Sequence, residues 1–303
     1  MTVVRCENVS KVYGNKNGTQ ALTGLSVNIK ENAITGVIGR NGAGKTTFLK
    51  TVAGFLRPTQ GTVKVFAENP FHHIKVAENT VFIDGTMMFP PTLTLKDILQ
   101  EAGRFYKNWD VQLAEKLFSY FALPCDKYHH QLSKGMKSTF HMIIGICARS
   151  PLTIFDEPTE GMDSAVRKDF YRTLLKDYLA HPRTILLSSH HLNEIEDLLE
   201  EIFIIHQGEN RLHLPVDEVK NYAIGLTGEK KVIERICKNR EVLYKREISH
   251  QYIYVVVKND LSNGERVQVE GDGVKISAVS TEDVFIYLTQ QKEGGIDDVL
   301  ERS

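Results

Sequence analysis

The sequence predicts an α/β protein built on a parallel sheet, and three observations carry that prediction. Apolar, strand-like runs alternate with helix-periodic runs between residues 33 and 205. The octet Gly39-Arg40-Asn41-Gly42-Ala43-Gly44-Lys45-Thr46 lies between the β-rich run Ala33–Ile38 and the helix-compatible stretch Thr46–Ala53, and it fits G-x-x-x-x-G-K-[ST] at every fixed position. A second apolar run, Leu152–Phe155, ends in the carboxylates Asp156 and Glu157.

Each element has its own local cause. Val3–Glu7 and Leu25–Ile29 alternate apolar and polar side chains as half-buried strands do, with a polar turn from Gly14 to Gly18 between them and Tyr13 just before it. Thr62–Phe66 reads as a strand after the turn signal Arg57–Gly61. From Leu95 to Leu123 the apolar residues fall at spacings of three and four, which predicts helix, and a second helix is expected over Lys134–Cys147. Pro151 stops it and opens the strand Leu152–Phe155. Helices over Arg167–Ala180 and Asn193–Glu200 and strands over Thr184–Ser188 and Ile202–Ile205 complete the alternation.

Composition narrows the function. The 303 residues, 42% hydrophobic and 25% charged, suffice for one large domain and a smaller one. A formal net charge of -1 lacks the basic excess of a dedicated nucleic-acid binder, so no nucleic-acid partner is expected. Cys6, Cys125, Cys147 and Cys237 are scattered without C-x-x-C spacing, which suggests neither a zinc site nor disulfides and fits a reducing cytosol. No run of 18 apolar residues exists and Met1–Glu7 does not read as a signal peptide, so the chain itself is not expected to cross a membrane.

The octet is the candidate nucleotide site. Gly39, Gly42 and Gly44 permit a tight turn that aims backbone N–H groups at phosphate oxygens, and the following helix adds its positive end. Lys45 would reach the outer phosphates and Thr46 would bind Mg²⁺. Asp156 and Glu157, at a strand end, are placed to hold the ion and to orient or deprotonate a water. His190, directly after the Ile185–Ser189 strand, is a candidate γ-phosphate contact, but chemistry alone does not separate it from His191.

The motifs GRNGAGKT (39–46), LSKGMK (132–137), LTIFDEPTEGMD (152–163) and SSHHLNEIE (188–196) resemble, in order and spacing, those of ATP-binding-cassette (ABC) ATPases over roughly Val3 to Gly208. More narrowly, LSKGMK, DEPTEGMD and FYKNWD (105–110) look like ATPase subunits of Gram-positive exporters of antimicrobial and toxin peptides. The resemblance implies a P-loop fold with a RecA-like parallel core, an antiparallel β subdomain and an α-helical signature subdomain. It also implies ATP and Mg²⁺ as cofactors, with Asn41, Ala43 and Thr47 joining the octet's other residues around the nucleotide. Tyr13 matches the residue that stacks on adenine. Ser133 and Gly135 match the signature loop that closes over the opposite subunit's ATP, Glu157 the catalytic carboxylate beside the metal-associated Asp156, and Asp163 a loop that communicates across the dimer. The pattern S-S-H-x-L-x-E-x-E makes His190 the switch histidine and His191 a spacer. Implied partners are a transmembrane permease and a second ABC ATPase, identical or related, at the cytoplasmic face of the membrane.

Three stretches depart from that pattern. Where the family has a metal-coordinating glutamine, this chain offers Phe82-Ile83-Asp84-Gly85-Thr86, and Asp84 is the expected substitute ligand. Lys134 and Met136 replace a glycine and a glutamine of the signature, and Glu160-Gly161-Met162-Asp163 replaces the commoner S-G-L-D. Met87–Pro91 reads as an adaptable docking surface for a membrane subunit.

The domain expectation is residues 1–210, with a helical part at about 90–150, followed by a small α/β accessory domain over 211–303. In the latter, strands are expected at Tyr222–Leu226, Val242–Ile248, Tyr252–Lys258 and Val274–Val279, with helices at Lys230–Cys237 and from Ser280, and fraying from Lys292 on. The functional expectation is a motor subunit powering a peptide or drug exporter. The alternative is a nucleotide-gated regulatory ATPase of a membrane complex that moves no substrate.

Overall fold

A computed structural model of the chain describes residues 1–14 and 18–290. Residues 15–17 of the polar turn expected from Gly14 to Gly18, and the fraying expected from Lys292 on, lie outside the described residues. The chain divides into two units, one from Met1 to His213 and one beginning at Leu214.

The first unit opens with the long strands β1 (Thr2–Tyr13) and β2 (Thr19–Lys30), then β3 (Ile34–Ile38), α1 (Lys45–Val52) and β4 (Gln60–Val65). Strands β2, β1 and β4 form an antiparallel sheet in that order. Next come α2 (Ile74–Glu78) and β5 (Thr80–Ile83), then α3 (Leu95–Phe105), α4 (Val111–Tyr120) and, after a 3-10 turn at His129–Gln131, α5 (Lys134–Cys147). The unit continues with β6 (Leu152–Phe155), α6 (Ser164–Ala180), β7 (Thr184–Ser189), α7 (Leu192–Ile195), β8 (Glu201–His206) and β9 (Glu209–Pro215).

The central sheet has the order β5-β6-β7-β3-β8-β9, and β5, β6, β7, β3 and β8 pair in parallel. Every residue of β3, β6 and β7 is buried. Both faces of these strands are covered, which is why they read as continuous apolar runs while β1 and β2 alternate. Phe48 of α1 meets Phe203 of β8 edge-on, ring centroids 5.3 Å apart, and so seats the helix on the sheet.

The helical run expected over Leu95–Leu123 is broken in two. Asp110 takes the N-cap of α4, accepting from the Leu113 N–H at 2.9 Å, while its own N–H bonds the Cys147 carbonyl. A short side chain that competes for backbone donors ends the periodicity. The helix expected over Asn193–Glu200 stops at Ile195 and passes into a 3-10 turn, because the Glu200 N–H is drawn to the Ile34 carbonyl. The helix expected from Arg167 starts three residues earlier, at Ser164, capped by Asp163.

A charge network, buried at its Arg183–Asp177 centre, ties the helical part to the sheet. Arg183 and Asp177, each 4% exposed, pair at 2.8 Å, and Arg149 bridges Asp177 at 2.6 Å and Asp110 at 2.9 Å. Two carboxylates answer two guanidiniums. A second buried polar pair, His129 and His141, joins the 3-10 turn to α5.

The second unit runs α8 (Val216–Lys220), β10 (Ala223–Glu229), α9 (Lys230–Cys237), β11 (Val242–Glu247), β12 (Tyr252–Lys258), α10 (Asn263–Gly271), β13 (Lys275–Ala278) and α11 (Thr281–Thr289). From β10 to β13 this is a split βαββαβ unit with antiparallel order β11-β12-β10-β13, the ferredoxin-like arrangement. Its core gathers Ile224, Leu226, Ile233, Ile253, Val255 and Val257. The helix α10, capped by a Ser262–Glu265 box, was not anticipated, since its apolar face is thin.

Asp177→Ala strands Arg149 and Arg183 without their shared carboxylate, and denaturant melts are expected to show a loss of about 3–5 kcal/mol. Burial pushes His141 from 6.5 down to about 4, with the neighbouring His129 adding to the effect. The unfolded chain therefore takes up the extra proton first as pH falls, so this contribution to stability is complete above 6.5 and is lost toward 4. Denaturant melts across that window are expected to fall less steeply in His141→Gln.

Candidate nucleotide site

The octet occupies the turn between β3 and α1. Gly42 and Gly44 hold φ of +80° and +109°, values that favour glycine, and a Cβ on Gly39 would lie 2.6 Å from the Ile205 carbonyl. Gly44 also stands where a Cβ would meet the Ala21 carbonyl at 2.6 Å. The first turn of α1 has neither a side-chain cap nor an acidic residue, so its N–H groups and positive end are left for an anion. Asn41 and Thr46 are exposed, Thr47 is half-buried and Ala43 is buried. Lys45 is buried at 6% exposure, and its Nζ donates to the Gly39 carbonyl at 2.7 Å.

Across the sheet, Asp156 and Glu157 directly follow β6. Ser188, on β7, donates to Asp156 Oδ1 at 2.7 Å and accepts from the Glu157 N–H at 2.8 Å, so one hydroxyl ties the Asp156 carboxylate to the Glu157 backbone. Glu157 has φ of +48°, the left-handed region. Its Oε1 lies 3.1 Å from Lys45 Nζ, its Oε2 2.9 Å from His190 Nδ1. Oε1 is buried and, despite the ion pair, has no hydrogen-bond partner of acceptable angle, so it retains acceptor capacity. Lys45, Glu157 and His190 are therefore one constellation. Of the two adjacent histidines, His190 faces Glu157, whereas the His191 N–H bonds Ser189 Oγ at 3.0 Å.

Tyr13 is exposed at the end of β1, its hydroxyl 3.3 Å from Thr47 Oγ1 and its ring 5.5 Å from Lys11 Nζ. An aromatic face beside the first turn of α1 is suited to a purine. Asp84 is engaged within the protein: Lys50 Nζ lies 3.4 Å from its carboxylate, and the Thr86 N–H and hydroxyl each donate to it at 2.9 Å. For a magnesium ion, the hydroxyl of Thr46 and the carboxylate of Asp156 would be the hard oxygen donors that the ion's chemistry calls for.

Ser133, Gly135 and Asp163 belong to a second cluster. Ser133 caps α5, accepting from the Met136 N–H at 3.3 Å, and Asp163 caps α6, accepting from the N–H groups of Ala165 and Val166. A Cβ on Gly135 would sit 2.6 Å from the Gly161 carbonyl. Lys134 pairs with Glu160 at 2.5 Å, and Ser138 Oγ donates to the Glu160 carbonyl at 2.8 Å. The two unusual residues Lys134 and Glu160 are thus partners, which sequence reading missed because 26 residues separate them. Ser188 was missed for a similar reason: it lies inside the SSHH string, but a hydroxyl's role depends on what faces it. Among the described residues, no hydrogen bond or ion pair joins Ser133 to the octet.

Comparison with known proteins bears on this arrangement. The family model described as "ABC transporter" matches residues 22–160. The chain is 30% identical over 240 residues to the uncharacterized ABC transporter ATP-binding protein YdbJ of Bacillus subtilis (strain 168), covering 77% of this chain and 74% of YdbJ. It is 29% identical over 222 residues to the bacitracin transport ATP-binding protein BcrA of Bacillus licheniformis, covering 72% of each. The dimeric, post-hydrolysis ATP-binding cassette MJ0796 bound to ADP and Pi superposes with a TM-score of 0.60 at 21% identity, over 70% of this chain and 98% of that one. At that identity the superposition speaks to the fold.

Gly135→Ala drives a methyl group against the Gly161 carbonyl and must push the Ser133 turn aside. The expected result is a fall in ATPase rate of about tenfold or more, equivalent to about 1.4 kcal/mol in the barrier, with nucleotide binding to the octet retained in an equilibrium titration.

Proposed function

The chain belongs to the ABC transporter ATP-binding proteins, and on that premise we propose that it powers export of peptide or drug molecules through a separate membrane permease. ATP binding and hydrolysis come with the family. The bacitracin transport assignment of BcrA supports the export reading and its substrate class.

The observation that carries the catalytic reading is Glu157 held between Lys45 and His190 with a buried, unsatisfied Oε1. In this reading that oxygen accepts a hydrogen bond from the attacking water and aligns it on the γ-phosphoryl group. His190 holds the other oxygen and so fixes the carboxylate plane. Lys45 leaves the Gly39 carbonyl for the phosphate oxygens and offsets the charge that builds there, together with the free N–H groups of α1. Thr46 and Asp156 would hold Mg²⁺, which supplies charge neutralisation across the outer phosphates. Tyr13 would stack on the adenine.

Ser133 and Gly135 would complete the opposite copy's site in a head-to-tail pair of cassettes, identical or related. The permease would dock in an apolar groove of about 500 Å³ lined by Met87, Phe89, Pro90, Leu93, Ile98 and Tyr106. Met88, 87% exposed beside it, adds a pliant contact. Among the described residues no helix is long and apolar enough to cross a membrane, and this docking would hold the chain at the cytoplasmic face.

Glu157→Gln keeps the shape of the side chain and removes its basicity. It is expected to bind ATP with near-normal affinity and to lower phosphate release by about a hundredfold or more; normal release would remove Glu157 from this role.

A further inference from the structure

The histidine pair beneath the groove has no part in the chemistry above. His129 lies four residues ahead of Ser133 and His141 eight residues beyond it. Their Nε2 atoms are 2.7 Å apart, and the side chains are buried to 9% and 2% exposure. One ring must donate and the other accept, so the bond closes the segment bearing Ser133 and Gly135 into a loop. Phe89, which lines the groove, meets the His129 ring edge-on at 5.0 Å and Phe140 at 5.8 Å. His141 faces the backbone and carboxylate of Asp84, which in turn reaches Lys50 on α1.

Groove, signature segment and phosphate-loop helix thus converge on two imidazoles. Apolar side chains would fill this space without the cost of burying polar atoms. What a directional bond adds is a fixed distance between the 3-10 turn and α5 that apolar packing does not enforce. Any shift of Phe89 as the groove fills bears on His129, and through the bond on both ends of the Ser133 segment.

We propose that the His129–His141 pair is a positioning element that carries occupation of the Phe89 groove to the Ser133 segment and so sets how strongly a membrane subunit accelerates ATP turnover. This rests on the reading of the groove as the permease site.

The test compares the complex with its co-purified membrane subunit and the isolated chain, and reads the ratio of their ATPase rates alongside the Kd for ATP. His129→Leu is expected to lower the ratio by about fivefold or more, the lower end of ordinary coupling energies, while the isolated chain binds ATP as before. His129→Gln, which keeps a donor and an acceptor, restores at least half of the ratio. His129→Asn is polar but too short to reach His141, so it matches His129→Leu and serves where the leucine variant does not fold. A wild-type ratio in His129→Leu or His129→Asn, or a glutamine variant as uncoupled as they are, overturns the proposal. Leu93→Asp, in the groove, separates the two layers of the argument. If it collapses the ratio and the histidine variants do not, the groove stands and the pair fails. If it leaves both the ratio and membrane-subunit binding intact, the groove reading falls and the proposal with it. A wild-type complex no faster than the isolated chain overturns both.

Discussion

The parallel pairing of β6, β7 and β3 is the constraint on which the site depends. Because Ile38 pairs with Ser189 and Phe155 with Leu187, the carboxyl ends of three strands arrive at one edge of the sheet within a residue or two of one another. The octet, the Asp156-Glu157 pair and His190 follow these strands directly, so residues more than a hundred positions apart in sequence become neighbours without any long loop having to fold. Ser188 then sets the fine alignment, bonding a carboxylate on one side and the backbone of the next residue on the other.

Much of this was legible in the sequence because it depends on short-range rules. Glycines at 39, 42 and 44 report backbone geometry directly, and continuous apolar runs report strands covered on both faces. The choice of His190 over His191, by contrast, came from resemblance, and the structure supplies the physical distinction in the contact with Glu157. What stayed hidden was pairing across distance. Lys134 and Glu160 each looked like a departure from a motif, and only the fold shows that they are partners. The break between α3 and α4 and the short α7 were hidden similarly: in each, a backbone N–H finds a distant carbonyl, which overrides local periodicity.

The helical part is joined to the sheet by polar as well as apolar contacts. Asp110, Arg149, Asp177 and Arg183 link the start of α4, the end of α5, α6 and the approach to β7, and the two imidazoles link the 3-10 turn to α5. Such bonds are directional, so they define an orientation more sharply than a greasy seam does. The second unit differs: its core is a compact aliphatic cluster between sheet and helices, and its edge strand β11 ends in Lys245, Arg246 and Glu247, charges that discourage edge-to-edge pairing.

On the role proposed for Glu157, its backbone sets folding against function at a single residue. A left-handed conformation costs a residue with a Cβ about 1 kcal/mol relative to glycine. A glycine here would be free of that strain but would give up the contacts of the Glu157 carboxylate with Lys45 and His190. In the proposed reading, the side chain that aligns the water therefore rides on a strained turn, so a substitution that relaxes the turn also removes the water's acceptor.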